Sequence, residues 1–529
     1  MSGSSRPTSG AEPLSSGLPS ARTARPAAAR LAWLGDACGV GVALAALWLT
    51  VRSLEWPLVH DGPLMHYVAA RLLEGAVPYR DLFDMNFPGV YLVHALGLVV
   101  FGGGDAGFRA FDLAVLGGSV IGLATVVASF GRSAAILAAA LFWLYHVAGG
   151  PWRAGQRDLI LCLPLVWMIV AGLAYARSGR PVVLGLSGLS LGVAVWIKPH
   201  AALLAPVLAA LAWRTPRRWE ALGALGLGVA APAVAVLGWL STVGGLAPFL
   251  DVVGGYLVPL YSRLGRESFF TMLALDVGVS VLVGLALWMV GGFAALWATG
   301  RLDARVALLA AGAVYGLLHF IAQGKGWGYH SYPLALFAVA LGAAGLGAAV
   351  AAGRRLASLG LVVALIWTSA SLAARGARRL DPPPIDRAYA RAHAVAAALR
   401  PVVREGGTVQ VLDTNAGGIH ALYLLGARQP TRFLYDFHFY HDTDRRYVRR
   451  LRDELLWALR GAPPAAVVVF ERGWPRGDYA RLASFPALEA WLDAGYRLTE
   501  EGDGYRIFAR RPATRPRSLL GGSPRGLLR

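Results

Sequence analysis

Two acidic residues, Asp61 and Asp158, each stand where an apolar run meets a short polar one, in Val59-His60-Asp61-Gly62-Pro63 and Gln156-Arg157-Asp158. A carboxylate held at a water–lipid boundary can take a proton from an incoming hydroxyl, help typically worth ~10²–10⁴ in rate. Two carboxylates from different loops could also hold a divalent cation with phosphate oxygens and water, so a metal is left open and none is assigned. Plainer roles exist for both. Gly62 and Pro63 make Asp61 a suitable helix N-cap, and Asp158 could simply pair with Arg157.

The cations are more unusual. Of fifty Lys and Arg residues, only Lys198 and Lys325 are lysine. Where composition has exchanged lysine for arginine this thoroughly, the two survivors are either chance remnants or sites at which a compact ammonium and a planar guanidinium are not equivalent. Both sit at apolar–polar junctions, in Lys198-Pro199-His200 and Lys325-Gly326-Trp327-Gly328-Tyr329-His330. Cations and imidazoles there suit an anionic phosphate leaving group, which makes Gln156, Arg157, Lys198, His200, Lys325 and His330 candidate substrate contacts. Trp327 and Tyr329 could stack on a sugar ring or anchor the interface. The segment Tyr79-Arg80-Asp81-Leu82-Phe83-Asp84-Met85-Asn86 adds Tyr79, Arg80, Asp81 and Asn86, the last being one of two asparagines in the chain. Arg80 could equally pair with Asp81 or Asp84. No phosphate loop, dinucleotide fingerprint or metalloprotease motif accompanies them.

These residues belong to a chain that is 56% hydrophobic, with a mean hydropathy of +0.51, which excludes an ordinary soluble protein and fits a polytopic membrane protein. The two cysteines give no disulfide framework or zinc pattern. The net charge of +19 does not mark a nucleic-acid binder, because most of the arginine flanks apolar segments. Residues 1–30 read as a disordered basic cytoplasmic tail. Apolar segments at 31–51, 111–130, 134–149, 159–176, 181–197, 199–213, 221–244, 271–297, 306–322, 333–352 and 357–373 predict about eleven transmembrane helices. A further apolar stretch from Pro88 to Gly103 decides the orientation. Left out of the count, it puts every short arginine loop (131–133, 177–180, 214–218, 301–305, 354–355) on the cytoplasmic side with the N-terminus. It is therefore expected to lie in the outer leaflet. Residues 64–74 form a second juxtamembrane helix with an apolar stripe at Leu64, Val68 and Leu72. This topology gathers all the polar motifs on the outer face.

The arrangement Asp61…Tyr67-x-x-Ala70…Gly75-x-x-Pro78-Tyr79-x-Asp81…Asn86-x-Pro88-Gly89 resembles the first outer loop of bacterial GT-C membrane glycosyltransferases of the family-39 type. These include protein O-mannosyltransferases and lipid A aminoarabinose transferases. Gln156-Arg157-Asp158, Lys198-Pro199 and Lys325-Gly326-Trp327…Tyr329-His330-x-x-Pro333 are similar to that group's later outer-face motifs. Where the O-mannosyltransferases carry Asp-Glu, this chain has His60-Asp61-Gly62. The resemblance implies a GT-C-like helical domain over 31–373 in a bacterial inner membrane. It also implies a polyprenyl-phosphate-linked sugar as donor and an acceptor, of unspecified class, at the outer face. Asp61 carries over as the principal catalytic carboxylate and Asp158 as the second-loop acidic residue. Two other readings remain: a polymerase or ligase of glycan assembly, and a transporter or flippase of lipid-linked glycan.

After residue 374 the composition turns polar. Thr408–Leu412 and Ala465–Phe470 read as buried strands, Tyr496–Thr499 and Tyr505–Ala509 as a closing hairpin, and 384–400, 443–460 and 478–493 as helices. A small extracytoplasmic α/β domain over 374–511 is expected, followed by a basic disordered tail over 512–529. The cluster Asp436-Phe437-His438-Phe439-Tyr440-His441-Asp442 lacks metal-ligand spacing and reads as an ordinary loop or as one near the active site or acceptor.

Overall fold

A computed structural model describes residues 21–274, 278–380, 387–475 and 477–512. Most of both expected tails, 1–20 and 513–529, lies outside these residues. Among the described residues eight helices are long and apolar enough to cross a membrane: Gly35–Glu55, Gly104–Phe130, Arg157–Ser178, Arg218–Thr242, Val279–Ala298, Ala304–Gln323, Gly328–Ala351 and Arg355–Arg378. The other three expected spans are the shorter apolar helices Arg132–Val147, Pro181–Ile197 and Pro199–Trp213. Helix Pro88–Phe101 has 14 residues, about 21 Å at 1.5 Å per residue, which falls short of a ~30 Å hydrocarbon core. Leu96, Val99 and Val100 are exposed along it.

Local chemistry sets the breaks in this bundle. Asp303 caps helix Ala304–Gln323 by accepting the Arg305 and Val306 amides at 2.9 and 3.3 Å. Helix Pro181–Ile197 ends at Lys198, whose backbone is extended (φ −145°, ψ 115°) because Pro199 disfavours a helical residue before it. Gly89 packs directly against this break: a Cβ there would lie 2.5 Å from the Trp196 carbonyl oxygen. The Pro88-Gly89 turn and the Lys198 hinge are thus locked together by a backbone contact that a side chain would prevent.

The C-terminal region carries a four-stranded sheet, β1 (Val409–Leu412), β2 (Ala466–Phe470), β3 (Tyr496–Gly502) and β4 (Tyr505–Arg510), in the order β1-β2-β4-β3. β1 and β2 pair in parallel, joined by a crossover that contains helices Gly418–Leu425 and Arg446–Gly461. Both strands are wholly buried apolar runs apart from Gln410, as a strand covered on two faces requires. β4 pairs antiparallel with β2 and β3.

This domain grips the first polar loop of the membrane part. The Phe83 amide donates to the Arg432 carbonyl at 2.6 Å, and the Arg432 guanidinium donates to the Tyr79 carbonyl at 2.6 Å. The same guanidinium pairs with Glu454 at 2.5 Å and lies over the Phe83 ring. Tyr79 sits in the left-handed region (φ 66°) with its hydroxyl on the Asn86 carbonyl at 2.6 Å. On a second side, Tyr447 and Arg450 reach Asp251 at 2.8 and 2.6 Å. Arg432→Ala should free the 79–83 loop at a cost of roughly 1–3 kcal/mol. Faster amide exchange confined to that loop and its contacts is the expected readout.

Candidate functional site

The loop between the first long helix and helix Gly62–Leu73 turns at His60, which has a positive φ of 58°. Asp61 occupies the N-cap position, yet its side chain makes no cap hydrogen bond. The carboxylate is turned instead into a cavity of about 440 Å³ between the membrane helices and the C-terminal domain. Oδ2 lies 3.6 Å from the Arg157 guanidinium and 3.4 Å from the Tyr329 hydroxyl. Oδ1 lies 3.4 Å from His60 Nδ1 and 3.5 Å from the Asn415 amide. Every one of these contacts is longer than a good charge-assisted hydrogen bond. The carboxylate retains room for a further, closer donor.

Arg157 is aimed by a buried network one helix away. Asp112 accepts the Gly155 amide at 2.7 Å while binding the Arg109 guanidinium and His146 Nε2, the latter at 3.0 Å. His146 Nδ1 in turn meets the Tyr332 hydroxyl at 2.7 Å. The loop 155–157 is thereby fixed to the bundle interior, and helix Arg157–Ser178 starts with its first side chain in the cavity wall.

Across the cavity, Lys325 sits in the connection between helices Ala304–Gln323 and Gly328–Ala351. Its ammonium lies 3.4 Å from the Tyr261 ring centre, 4.8 Å from Trp474 and 5.4 Å from Trp327. No hydrogen-bond acceptor among the described residues reaches Nζ. Burial, followed by the positive charges of Arg157, Lys198 and Arg266, pushes this ammonium down to about 6. Three aromatic faces attract a cation, but none replaces a counter-ion. An anion entering the cavity would supply one.

Six of the residues singled out in the sequence line this cavity: Asp61, Asn86, Arg157, Lys325, Trp327 and Tyr329. Five others form the wall behind it. Asp158 is completely buried, 3.0 Å from Lys198 Nζ and 2.6 Å from His319 Nε2. His200 stands edge-on to His319, and His330 packs among Trp327, Tyr329 and His319. Gln156 bonds His60 and the Trp152 carbonyl. Tyr79, Arg80 and Asp81 lie outside the cavity wall. Arg80 and Asp81 pair with each other at 2.8 Å, and Asp81 also accepts the Val77 amide at 2.8 Å. Asp84 is buried against the Tyr91 hydroxyl and the Asn86 amide, and burial raises its affinity for a proton.

Several lining residues were not among the sequence candidates. Tyr261 follows an apolar run, and Asn415, Tyr435, Phe437 and Trp474 come from the C-terminal domain. Asn415 was traceable only as the chain's other asparagine. In the 436–442 cluster, His438 and His441 both reach the Tyr256 hydroxyl, at 2.7 and 2.8 Å, because a 3₁₀ turn over Phe437–Phe439 brings them to one side. Among the described residues no three His, Cys, Asp or Glu side chains converge as metal ligands.

Comparison with known proteins fits this architecture. Residues 86–240 match the family model of dolichyl-phosphate-mannose-protein mannosyltransferases. No curated protein sequence matches the chain. The crystal structure of ArnT from Cupriavidus metallidurans bound to undecaprenyl phosphate superimposes with a TM-score of 0.56 at 14% identity, covering 90% of this chain and 98% of that one. Its apo form gives 0.55 at 14% identity, covering 89% and 97%. An Archaeoglobus fulgidus oligosaccharyltransferase aligns at 0.49 and 13% identity, over 92% of this chain and 75% of its own. The chain thus has the fold of ArnT, and residues 86–240 match the dolichyl-phosphate-mannose-protein mannosyltransferase model.

Proposed function

We propose that this protein transfers a sugar from a polyprenyl-phosphate carrier to an acceptor hydroxyl at the extracytoplasmic face of the membrane. The observation that carries the reading is one cavity wall holding an incompletely satisfied carboxylate, Asp61, with two cations, Arg157 and Lys325, lining the same space. The family matched by residues 86–240 is named for a lipid-phosphate sugar donor, and the ArnT structure holds undecaprenyl phosphate. Both support a lipid-linked donor here. A donor already in the outer leaflet also removes the need for a cytosolic nucleotide sugar, consistent with the lack of a nucleotide motif.

In the proposed step the acceptor oxygen attacks the anomeric carbon and Asp61 takes its proton. The bond from that carbon to the phosphate oxygen breaks, and its electron pair leaves with the phosphate, inverting the sugar. Arg157 and Lys325 neutralise the departing phosphate in a partly buried site, where such pairing is worth more than in bulk solvent. Asp158 and Lys198 act one layer back. Their ion pair holds the Lys198 hinge and His319 against the start of the helix that presents Arg157. No step is assigned to a metal ion.

Mass spectrometry of lipids co-purifying with the protein tests the donor class, and absence of any polyprenyl phosphate would count against it. Asp61→Asn should slow transfer by ~10²–10⁴ while leaving binding of undecaprenyl phosphate intact. Near-normal transfer in that variant would remove Asp61 as the base. The Lys325 ammonium also gives a pH signature. With a free-site value of about 6, it is mostly neutral at pH 7.5, and a bound phosphate raises its proton affinity. The gain in affinity is therefore complete below pH 6 and is lost as pH rises through the higher bound-state value. Calorimetry at pH 7.5 in buffers of different ionisation enthalpy should show greater proton uptake on binding in the wild type than in Lys325→Met.

A further inference from the structure

Four non-glycine residues in the described chain have a positive φ: His60, Tyr79, Asn415 and Asp442. Tyr79 belongs to the docked loop already described. Two of the remaining three, His60 (φ 58°) and Asn415 (φ 59°), come from opposite domains and converge on the same oxygen of Asp61. Such backbone is uncommon for any non-glycine residue, though Asn and His adopt it more readily than most. Residues held this way persist where the surroundings over-determine them, and they concentrate at functional sites.

The surroundings here do over-determine them. Asn415 rides on a turn built around Asp413, whose buried carboxylate accepts the Ala416 and Gly418 amides at 2.7 Å each and the Ile419 amide at 3.3 Å. The Asp413 carbonyl holds the Asp436 amide at 2.9 Å. His60 is gripped by Gln156 Nε2 at 3.1 Å and lies against the Trp152 ring, centroids 4.7 Å apart. Gln156 Nε2 also donates to the Trp152 carbonyl at 3.0 Å. One amide hydrogen serves that carbonyl and the other serves Nδ1. A neutral His60 ring that accepts this bond at Nδ1 carries its proton on Nε2. No group among the described residues bonds Nε2, and His60 lines the cavity.

We propose that His60, Asn415 and Trp152 form an acceptor subsite for a saccharide. His60 Nε2–H and the Asn415 amide each donate to hydroxyls neighbouring the one that Asp61 deprotonates. This rests on the glycosyl-transfer reading above and names the acceptor class within it. The His60 ring and the Asn415 amide approach one Asp61 oxygen from opposite domains, and an N–H on each matches a polyol, whose adjacent carbons bear further hydroxyls. A Ser or Thr side chain offers a single hydroxyl and would leave a donor unpaired, costing on the order of ten-fold in affinity. Trp152 is 43% exposed at the cavity wall and offers the apolar face that a sugar ring covers. The phosphate-binding cations, Arg157 and Lys325, remain free for the donor.

The test uses the full-length protein in nanodiscs loaded with undecaprenyl phosphate. Saturation-transfer NMR would be recorded with a panel of methyl hexosides and pentosides and with a Ser/Thr-containing peptide. The variants His60→Gly and Asn415→Gly keep a residue at ease with positive φ while removing the side-chain donor. Binding of at least one glycoside is expected in the wild type, roughly ten-fold weaker in each glycine variant and partly restored in His60→Asn. Undecaprenyl phosphate affinity should not change in these variants. The proposal is overturned if no glycoside binds, if both glycine variants bind glycoside as the wild type does, or if the peptide binds more tightly than every glycoside. Failure of wild-type protein to bind undecaprenyl phosphate would count against the lipid-donor reading instead, and the glycoside-to-peptide comparison would still decide the acceptor class.

Discussion

Asp158, Lys198 and His319 come from three different segments and meet where no water reaches them. A buried ion pair of this kind adds little net stability, but removing one member strands the other at a cost of about 3–5 kcal/mol. The three segments are therefore not free to slide past one another. Helix Arg157–Ser178, the extended break at Lys198 and helix Ala304–Gln323 share one registration, and the cavity wall is built on it. Arg157 precedes Asp158 and the Lys325 connection follows the helix that carries His319. Both cavity-lining basic residues inherit their positions from this contact. The Asp112 network performs a parallel task one helix away by fixing Gly155.

Against this rigid wall, the groups facing the cavity are held loosely. Among the described residues, Asp61 has four polar neighbours at 3.4 to 3.6 Å and none closer, and Lys325 has three aromatic faces and no acceptor. Polar groups in the interior of a folded protein are normally satisfied, so a carboxylate and an ammonium left short of partners in one cavity retain capacity for a ligand. The C-terminal domain completes the enclosure through Asn415, Tyr435, Phe437 and Trp474. It is part of the site as well as a cover for it.

Much of this was legible in the residues. Membrane-crossing helices follow from long apolar runs because backbone polar groups in lipid must be satisfied within the helix. The strands of the C-terminal domain followed from short β-branched runs, and their expected positions differ from the observed ones by a residue or a few. Asp61, Arg157 and Lys325 stood out because charged groups at apolar junctions are expensive without a purpose. Division of labour among the charged residues was not legible. Asp158 and Lys198 each looked fit to meet substrate, and they meet each other. Arg80 and Asp81 looked like part of the site, and they shape a loop that the C-terminal domain grips.

Local sequence determined which segments are helical, where prolines and apolar boundaries interrupt them, and which side chains can carry charge or donate a proton. Those properties depend on residues a few positions apart. Packing between distant segments determined which charges neutralise one another and which are left facing a cavity. His319 reaches Asp158 across 161 positions, and Asn415 reaches Asp61 across 354. A carboxylate's chemistry depends on what stands within a few ångströms of it. Over such separations, the folded chain supplies that information and local pattern does not.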